Sequence, residues 1–314
     1  MYAATVEDGT PTWRPQPDPE PGPGDLLVRV RAAGVCRGDL MQAQGHYPPP
    51  PGTTPPDRPG LELAGEVVAA GSRCRRFGPG DRVMAVVVGG GQSELAAVPE
   101  AVALPVPDGV DWVTAGAFPE NYTTAHDALF TQCGLGMGER VCVHGAAGGV
   151  GTAGVELAVA AGAEVVATVR SERSRPGVAE LGATVVPPEG FEGHGPFDVV
   201  LELVGAANVP GDVRSLATGG RLAVIGVGAG SRAEVDLLAL MAARGRIHGS
   251  TLRARPLEAK ADAARRVEHH VLPLLARGVL RVPVAATFPL SDPAAGYRHF
   301  AAGGKLGKVV LVAG

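Results

Sequence analysis

The apolar positions of this chain change rhythm near residue 114. Up to about 113 they fall in short runs broken by Gly and Pro. Asp25–Arg31 (DLLVRVR) alternates like a half-buried strand, and Leu63–Ala69 and Arg82–Val88 read as two more. Gly71-Ser72 and Gly78-Pro79-Gly80-Asp81 mark tight turns between them. The proline run Pro48–Pro51 predicts an extended, stiff stretch that holds the neighbouring Tyr47 in a defined place. From about 114 the apolar runs become nearly continuous: Val141–Val143, Glu164–Val169, Thr184–Val186, Phe197–Val204 and Arg221–Val227. Such runs suit parallel strands buried on both faces. Asp236–Ala243 and Glu258–Ala276 read as helices, the second interrupted near Pro273, and β texture returns in Pro283–Phe288 and Lys308–Val312. The pattern predicts an α/β protein. A β-rich domain (1–118 together with 254–314) carries an inserted, doubly wound domain (119–253).

One stretch carries chemistry. The strand Val141-Cys142-Val143 runs into His144-Gly145-Ala146-Ala147-Gly148-Gly149-Val150-Gly151, a small-residue helix follows over Thr152–Ala161, Gly162 stops it, and the strand Glu164–Val169 comes next. This strand–turn–helix–strand unit of about 30 residues has the size of a dinucleotide-binding element. A side chain at Gly148 or Gly149 would keep a pyrophosphate from the backbone N–H groups, and the helix N-terminus favours an anion through its dipole. Gly151 lets helix and strand approach. The pattern is Ala-x-Gly-x-x-Gly, so its first position departs from the usual glycine.

The end of the second strand selects the nucleotide. An Asp or Glu about 20 residues past the glycines would hold a ribose 2′-OH. Here stand Arg170, Ser171, Glu172, Arg173, Ser174 and Arg175. Guanidinium groups and a serine hydroxyl bind a 2′-phosphate by charge-assisted hydrogen bonds, whereas a carboxylate repels it. The expected cofactor is NADPH. A solvated basic loop is the plain alternative, and Glu172 is the one feature that could serve a 2′-OH. Pro176-Gly177 is expected to delay the next helix, with Pro176 in its first turn.

Composition narrows the class. A net charge of −4 and the lack of any long charged run give no sign of nucleic acid or an anionic membrane as partner. No run of 18 apolar residues could span a bilayer, and the N-terminus MYAATVEDGT lacks the regions of a signal peptide. Cys36, Cys74, Cys133 and Cys142 are widely spaced and form no Cys-x-x-Cys, which predicts free thiols and a cytoplasmic protein.

These motifs together resemble the medium-chain dehydrogenase/reductase superfamily over nearly the whole chain. Val141–Gly151 is similar to the "HAAxGGVG" turn of its zinc-independent NADPH:quinone oxidoreductase branch. Gly60-Leu61-Glu62-Leu63-Ala64-Gly65-Glu66-Val67-Val68, with Gly78-Pro79-Gly80-Asp81-Arg82-Val83, resembles the signature of a GroES-like domain. Gln44–Gly52 looks like the "QGxYPPPPG" segment of the p53-inducible quinone oxidoreductase subgroup, and Pro119-Glu120, Thr124-Ala125 and Leu252–Arg255 resemble further landmarks. The resemblance implies a GroES-like β-rich catalytic domain with a doubly wound Rossmann domain. The zinc alcohol dehydrogenases of the superfamily use a Gly-x-Cys, a Gly-His-Glu and a later Cys for their metal. This chain keeps Gly34-Val35-Cys36 but has Gly60-Leu61-Glu62, where leucine cannot coordinate. A catalytic zinc needs three protein ligands, so no metal is expected and Cys36 is read as an uncoordinated thiol.

Residue by residue, the resemblance places Ala147, Gly148, Gly149 and Val150 at the pyrophosphate and Ser171 and Arg173 at the 2′-phosphate, with Arg170 an added candidate there. Val204, Gly205, Gly226 and Val227 fall at the carboxyl edge of parallel strands. Thr124 would touch the nicotinamide, Leu252 with Arg253 would close over it, and Lys308 is a further cofactor candidate. On the acceptor side Tyr47 is the first candidate hydrogen-bond donor, followed by Cys36 and Arg37. The alternative for Tyr47 is a packing residue beside the prolines. Asp39 reads as a cap or a partner for Arg37, and His144 as packing near the turn. Asn121-Tyr122 is unusual beside the branch's bulky apolar residues. Without a Lewis acid, hydride transfer to a quinone or an α,β-unsaturated carbonyl is the expected reaction, because such acceptors delocalise the incoming charge onto their own oxygen. The competing readings are a biosynthetic enoyl reductase, a zinc alcohol dehydrogenase and a non-catalytic NADPH-binding sensor. Arg246–Thr251 would be an exposed sheet edge, which the branch pairs across a two-fold axis, so a homodimer is expected.

Overall fold

A computed structural model describes every residue except Pro48, Pro51 and residues 53–56; the expectation for the Pro48–Pro51 run therefore lies in part outside the described residues. The chain forms two compact units. The first comprises Met1–Thr123, Leu252–Gly303 and Lys308–Gly314, and the second Thr124–Thr251 with Gly304–Gly307. Relative to the boundaries expected at 118 and 253, residues 119–123, Leu252 and Arg253 join the first unit and Gly304–Gly307 join the second.

In chain order the first part holds the hairpin β1 (Tyr2–Glu7) and β2 (Thr10–Pro15), then β3 (Asp25–Val35), α1 (Arg37–Ala43), β4 (Glu62–Ala70), β5 (Arg82–Val86), β6 (Leu95–Pro99), β7 (Ala103–Pro105), α2 (Trp112–Ala117) and α3 (Pro119–His126). The middle part holds β8 (Arg140–Val143), α4 (Gly149–Ala160), β9 (Glu164–Thr168), α5 (Arg175–Ala179), β10 (Thr184–Val186), β11 (Phe197–Glu202), α6 (Val209–Arg214), β12 (Leu216–Val224), α7 (Leu237–Ala243) and β13 (Arg246–Gly249). The return to the first unit adds α8 (Leu257–His270), α9 (Leu272–Ala276), β14 (Val284–Pro289), α10 (Pro293–Ala302) and β15 (Lys308–Val312).

The seven-stranded sheet of the first unit runs β14-β15-β3-β4-β5-β7, with β6 also paired to β3. Its strand β3 alternates as the sequence predicts, with Leu26, Val28 and Val30 at most 1% exposed. They join Leu63, Val83, Val309 and Leu311 in one core. The strand runs on to Val35, four residues beyond the alternating stretch, because β15 pairs with Ala32–Val35. Gly65 lets β3 and β4 close up: a Cβ there would meet Val28 Cγ1 at 2.8 Å and the carbonyl carbon of Arg29 at 2.9 Å.

The six-stranded sheet of the second unit is parallel throughout, in the order β10-β9-β8-β11-β12-β13. The chain winds outward from β8 to one side and from β11 to the other, so the switch point lies between β8 and β11. In such sheets the ligand binds at the carboxyl ends of the strands at that point. Cys142, Val166, Phe197, Val200 and Leu222 fill the core. The helix after the glycine turn starts at Gly149, three residues before the expected Thr152, and β11 stops at Glu202 instead of Val204.

α7 departs from the usual rule for an apolar helix. Its sequence LLALMAA buries no residue, and Leu237, Leu238 and Met241 are 67%, 74% and 72% exposed. The neighbouring edge strand β13 shows Ile247 at 41% exposure.

Candidate functional site

In the second unit, β8 ends at Val143, Gly145 turns the chain at φ +64°, and Gly148 caps α4 in an extended conformation. Thr152 N–H closes the first helical turn on the Gly148 carbonyl at 2.8 Å. The first-turn amides ahead of it have no intrahelical acceptor, which makes this end a site for an anion. A Cβ built on Gly148 would meet only Gly145 O, at 3.4 Å, so the protein's own packing does not require glycine there. The bare Cα instead leaves the space in front of the turn open, which fits a pyrophosphate held by backbone N–H groups. Gly151 has another task, since a Cβ there would lie 2.6 Å from Ala146 Cα within the turn itself. The close helix-to-strand approach belongs to Gly154, whose Cβ would meet Leu201 Cδ2 at 2.6 Å. Sequence reasoning also missed the segment Gly304–Gly307. Gly307 N–H donates to the Ala147 carbonyl at 2.8 Å, and Gly307 bridges in parallel with Gly148.

Arg170, Ser171, Arg173, Val204, Gly205, Gly226 and Val227 follow strands of this sheet at their carboxyl ends. Arg170 and Arg173 follow β9, both exposed, and neither has an ion-pair partner among the described residues. The Ser174 hydroxyl lies 3.3 Å from the Gly304 carbonyl, to which it can donate, and 3.4 Å from the Ser171 hydroxyl. Glu172, the residue that could serve a 2′-OH, lies 3.7 Å from Arg175. Val204 and Gly205 follow β11, and Gly226 and Val227 follow β12. Gly205 at φ +111° sits against Val227, where a Cβ would come 2.8 Å from Val227 Cα. Thr124 is partly exposed on α3.

Behind the turn lies a buried network. His144 Nε2 is 2.8 Å from Asp212 Oδ1, and its Nδ1 is 3.0 Å from Thr168 Oγ1. Glu202 Oε1 accepts from the backbone N–H groups of Val204 and Gly205, which ends β11 and shapes the turn beyond it. Glu202 Oε2 and Asp212 Oδ2 are buried without a hydrogen-bond partner. Burial alone would depress His144, but the Asp212 carboxylate and Cys142 push it up to about 10. Burial raises Glu202 to about 7, partly opposed by His144. The proton held on His144 lets it meet the buried carboxyl groups beside it in a dry interior. Among the described residues, His144, Glu202 and Asp212 are the one group of His, Cys, Asp and Glu close enough to hold a metal, with ligand atoms within 4.8 Å of one another. Both ring nitrogens of His144 already have partners, so the arrangement reads as an anchor for the turns. This agrees with the expected packing role of His144.

The first unit holds the acceptor-side candidates. Cys36 is the N-cap of α1 and is 7% exposed, Arg37 is exposed, and Asp39 is fully buried. Asp39 accepts from the backbone N–H groups of Cys36 (2.8 Å), Gly60 (2.9 Å) and Leu61 (3.2 Å). It is therefore a cap that ties α1 to the start of β4. Gly38 gives Leu61 and the Tyr47 ring room on the first turn of α1; a Cβ there would meet Leu61 Cδ1 at 2.6 Å and the ring at 3.4 Å. Arg253 lies over that ring, 4.8 Å from its centroid. It donates to the Tyr47 carbonyl (2.6 Å), the Val88 carbonyl (2.6 and 2.9 Å) and Gln42 Oε1 (2.5 Å). Burial, with Asp39 next, holds the Cys36 thiol well above its ordinary value. It stays protonated, an S–H donor and not a thiolate.

Lys308, expected at the cofactor, has its ammonium inside this unit. It pairs with Glu62, lies 3.6 Å from Glu120, and donates to Asn121 Oδ1 at 3.2 Å. Burial alone would lower Lys308, and the two carboxylates reverse that. Burial raises Glu62 to about 7 against the opposing pull of Lys308. The unusual Asn121 thus has a partner, while Tyr122 is buried and stacked on Phe118 with centroids 4.4 Å apart. Nothing local marks this cluster, because its members lie on β4, α3 and β15.

Comparison with known proteins matches both units. Residues 22–108 fit the model of the alcohol dehydrogenase GroES-like domain, and 149–268 that of the zinc-binding dehydrogenase family. A quinone oxidoreductase of Lama guanicoe is 30% identical over 299 residues, covering 91% of this chain and 88% of that protein. A phenolphthiocerol/phthiocerol polyketide synthase of Mycobacterium tuberculosis is 32% identical over 302 residues, covering 92% of this chain but only 14% of that much longer protein. The mycobacterial protein Rv1454c, solved as a complex with NADPH, superposes with a TM-score of 0.87 at 26% identity, covering 99% of this chain and 100% of that one. A GroES-like unit joined to a doubly wound, glycine-turn unit defines the class as a two-domain oxidoreductase. The chain belongs to the medium-chain dehydrogenase/reductase superfamily, in its quinone oxidoreductase-like branch.

The buried network makes a pH prediction. His144 keeps its proton in the folded chain up to about 10, whereas in the unfolded chain it loses the proton near its ordinary value of roughly 6.5. Its stabilisation is thus complete below that value and is lost as pH rises to about 10. Glu202, also raised, adds a loss that ends near 7. Thermal unfolding followed between pH 6.5 and 9.5 is expected to show a falling Tm for the wild type. Asp212→Asn is expected to have a lower Tm at pH 6.5 and a flatter fall; an unchanged slope in D212N would refute the assignment.

Proposed function

We propose that this chain is an NADPH-dependent oxidoreductase that passes a hydride to a quinone or an α,β-unsaturated carbonyl without a catalytic metal. The observation that carries the metal-free reading is the state of Glu62. Its neighbour in sequence is Leu61, which cannot coordinate, and its carboxylate is neutralised by the Lys308 ammonium, 2% exposed. An internal cation already occupies the attraction a divalent ion would use, and the nearby Cys36 is held as a thiol.

NADPH supplies the hydride when bound. The turn at Ala147, Gly148, Gly149 and Val150 receives the pyrophosphate on backbone N–H groups. Arg170, Ser171 and Arg173 receive the 2′-phosphate, for which two exposed, unpaired guanidinium groups beside a hydroxyl are suited. Val204, Gly205, Gly226 and Val227 form the backbone edge over β11 and β12 along which a dinucleotide extends, and Thr124 faces the nicotinamide. Lys308 serves this site indirectly, by holding Glu62 and Glu120, and Arg253 by fixing the Tyr47 backbone. On the acceptor side the Tyr47 hydroxyl, the Cys36 thiol and the Arg37 guanidinium are the donors assigned to the oxygen that gains charge. The relatives named quinone oxidoreductase support the quinone. The match to a segment of a polyketide synthase favours a second reading, an enoyl thioester as the acceptor.

A homodimer is part of this proposal. Strand β13 ends the parallel sheet with an open edge. Leu237, Leu238, Met241 and Ile247 stand exposed on it and on α7, an apolar face of a kind monomers rarely leave uncovered.

Chelator-treated protein is expected to oxidise NADPH with an ortho-quinone. Activity only after zinc is restored would point to the zinc dehydrogenase reading, and NADPH binding without turnover on quinone or enoyl thioester to a sensor. In the same assay Arg173→Asp is expected to raise the KM for NADPH by about tenfold or more, the loss of one charge-assisted contact, and to narrow the preference over NADH; an unchanged KM would place the 2′-phosphate elsewhere. Solution scattering is expected to give twice the chain mass, and a monomer mass would remove the dimer from the proposal.

A further inference from the structure

The first unit holds a partly open pocket that shares Arg253 with the Cys36–Tyr47 group. Its enclosed space is small, and part of it is continuous with solvent. Val86, Val102, Leu104, Leu252 and Ala263 give it apolar walls, and among the described residues no Asp or Glu lines it. Three polar side chains reach it: Thr123, Lys260 and Arg253.

Each of the three is electrostatically incomplete. Thr123 is 4% exposed and its Oγ1 has no hydrogen-bond partner; a buried hydroxyl left unpaired costs roughly 1–3 kcal/mol. Lys260 sits on α8 three and four residues before Ala263 and Ala264, on the same helical face. No carboxylate pairs with it among the described residues, and burial, then the Arg253 charge, hold its ammonium below the ordinary lysine value. Arg253 spends its donors on the carbonyls of Tyr47 and Val88 and on the Gln42 amide oxygen. All of these are neutral acceptors, and the buried Asp39 acts on the guanidinium without forming an ion pair with it. Two cations of one sign thus stand at an apolar wall beside an unpaired hydroxyl. In surroundings of reduced dielectric the repulsion between them is relieved by an anion.

We infer that this pocket binds an apolar molecule carrying one acidic group, with the anion between Lys260 and Arg253, its oxygen accepting from Thr123, and the apolar body against the valine and leucine walls. Under the function proposed above, which this inference deepens, the preferred acceptor is an acid-bearing quinone or enone. Lys260 is then a specificity residue, because it discriminates acceptors by charge.

Calorimetry on the whole chain without NADPH tests the site separately from turnover. The probes are a single-ring benzenesulfonate and its neutral benzyl alcohol counterpart of similar size. The wild type is expected to bind the sulfonate about tenfold more tightly than the neutral compound, the worth of roughly one half-buried charge pair. Lys260→Met is expected to remove that preference and Lys260→Arg to keep it, with Thr123→Val weakening the sulfonate by a few fold. Equal affinity of the wild type for the two probes, or a preference that survives in K260M, would overturn the inference and leave Lys260 as a lysine whose stem merely covers apolar surface. If quinone turnover fails while the charge preference in binding persists, the pocket stands and the acceptor assignment falls.

Discussion

The Lys308 ammonium is the constraint around which the first unit is organised. A cation 2% exposed is tolerable only when opposite charge and hydrogen-bond acceptors surround it. Glu62 supplies the charge from β4, Glu120 and Asn121 add acceptors from α3, and Lys308 itself stands at the start of β15. These strands lie on either side of β3, and Gly34 on β3 makes the pairing possible. A Cβ at Gly34 would run into the Glu62 carboxylate and come within 2.6 Å of Lys308 Cε. The glycine, the two carboxylates and the lysine are one requirement written at four places in the chain. They also set the chemistry nearby, because Glu62 is engaged and the adjacent thiol stays protonated.

The second unit solves a different problem, which is to present backbone N–H groups to an anion. Helix α4 does this by starting at Gly149, and the glycine turn before it is held from behind. His144 anchors the end of β8 to Asp212 on α6, and Glu202 takes the amides of Val204 and Gly205 at the end of β11. The two turns at the switch point thus hang from one buried cluster. Their shape rests on the proton that Asp212 and Cys142 hold on His144 against the effect of burial.

Most of the architecture was legible because it depends on local pattern. The alternation in Asp25–Arg31, the continuous apolar strands around the glycine turn and the interruption at Pro273 each reflect a periodicity or a steric rule acting over a few residues. Element ends were less legible. β11 stops at Glu202 because its own side chain captures the next amides, and β3 continues to Val35 because β15 is there to pair with it. Lys308 was placed at the cofactor from its motif, and the structure puts its charge inside the first unit.

The sequence by itself determined two units, a glycine turn at a strand-to-helix junction, and arginines where a carboxylate would select the other nucleotide. These are properties of residue order and chain conformation within one supersecondary element. Only the tertiary structure decided which polar groups are spent on one another. Asp39 became a cap for Gly60 and Leu61, Arg253 a fixture for Tyr47, and Thr123 with Lys260 the unspent donors of a pocket. The physical reason is that a polar group's role follows from its partners and its dielectric surroundings. Both are set by strands and helices that meet in space from distant parts of the chain.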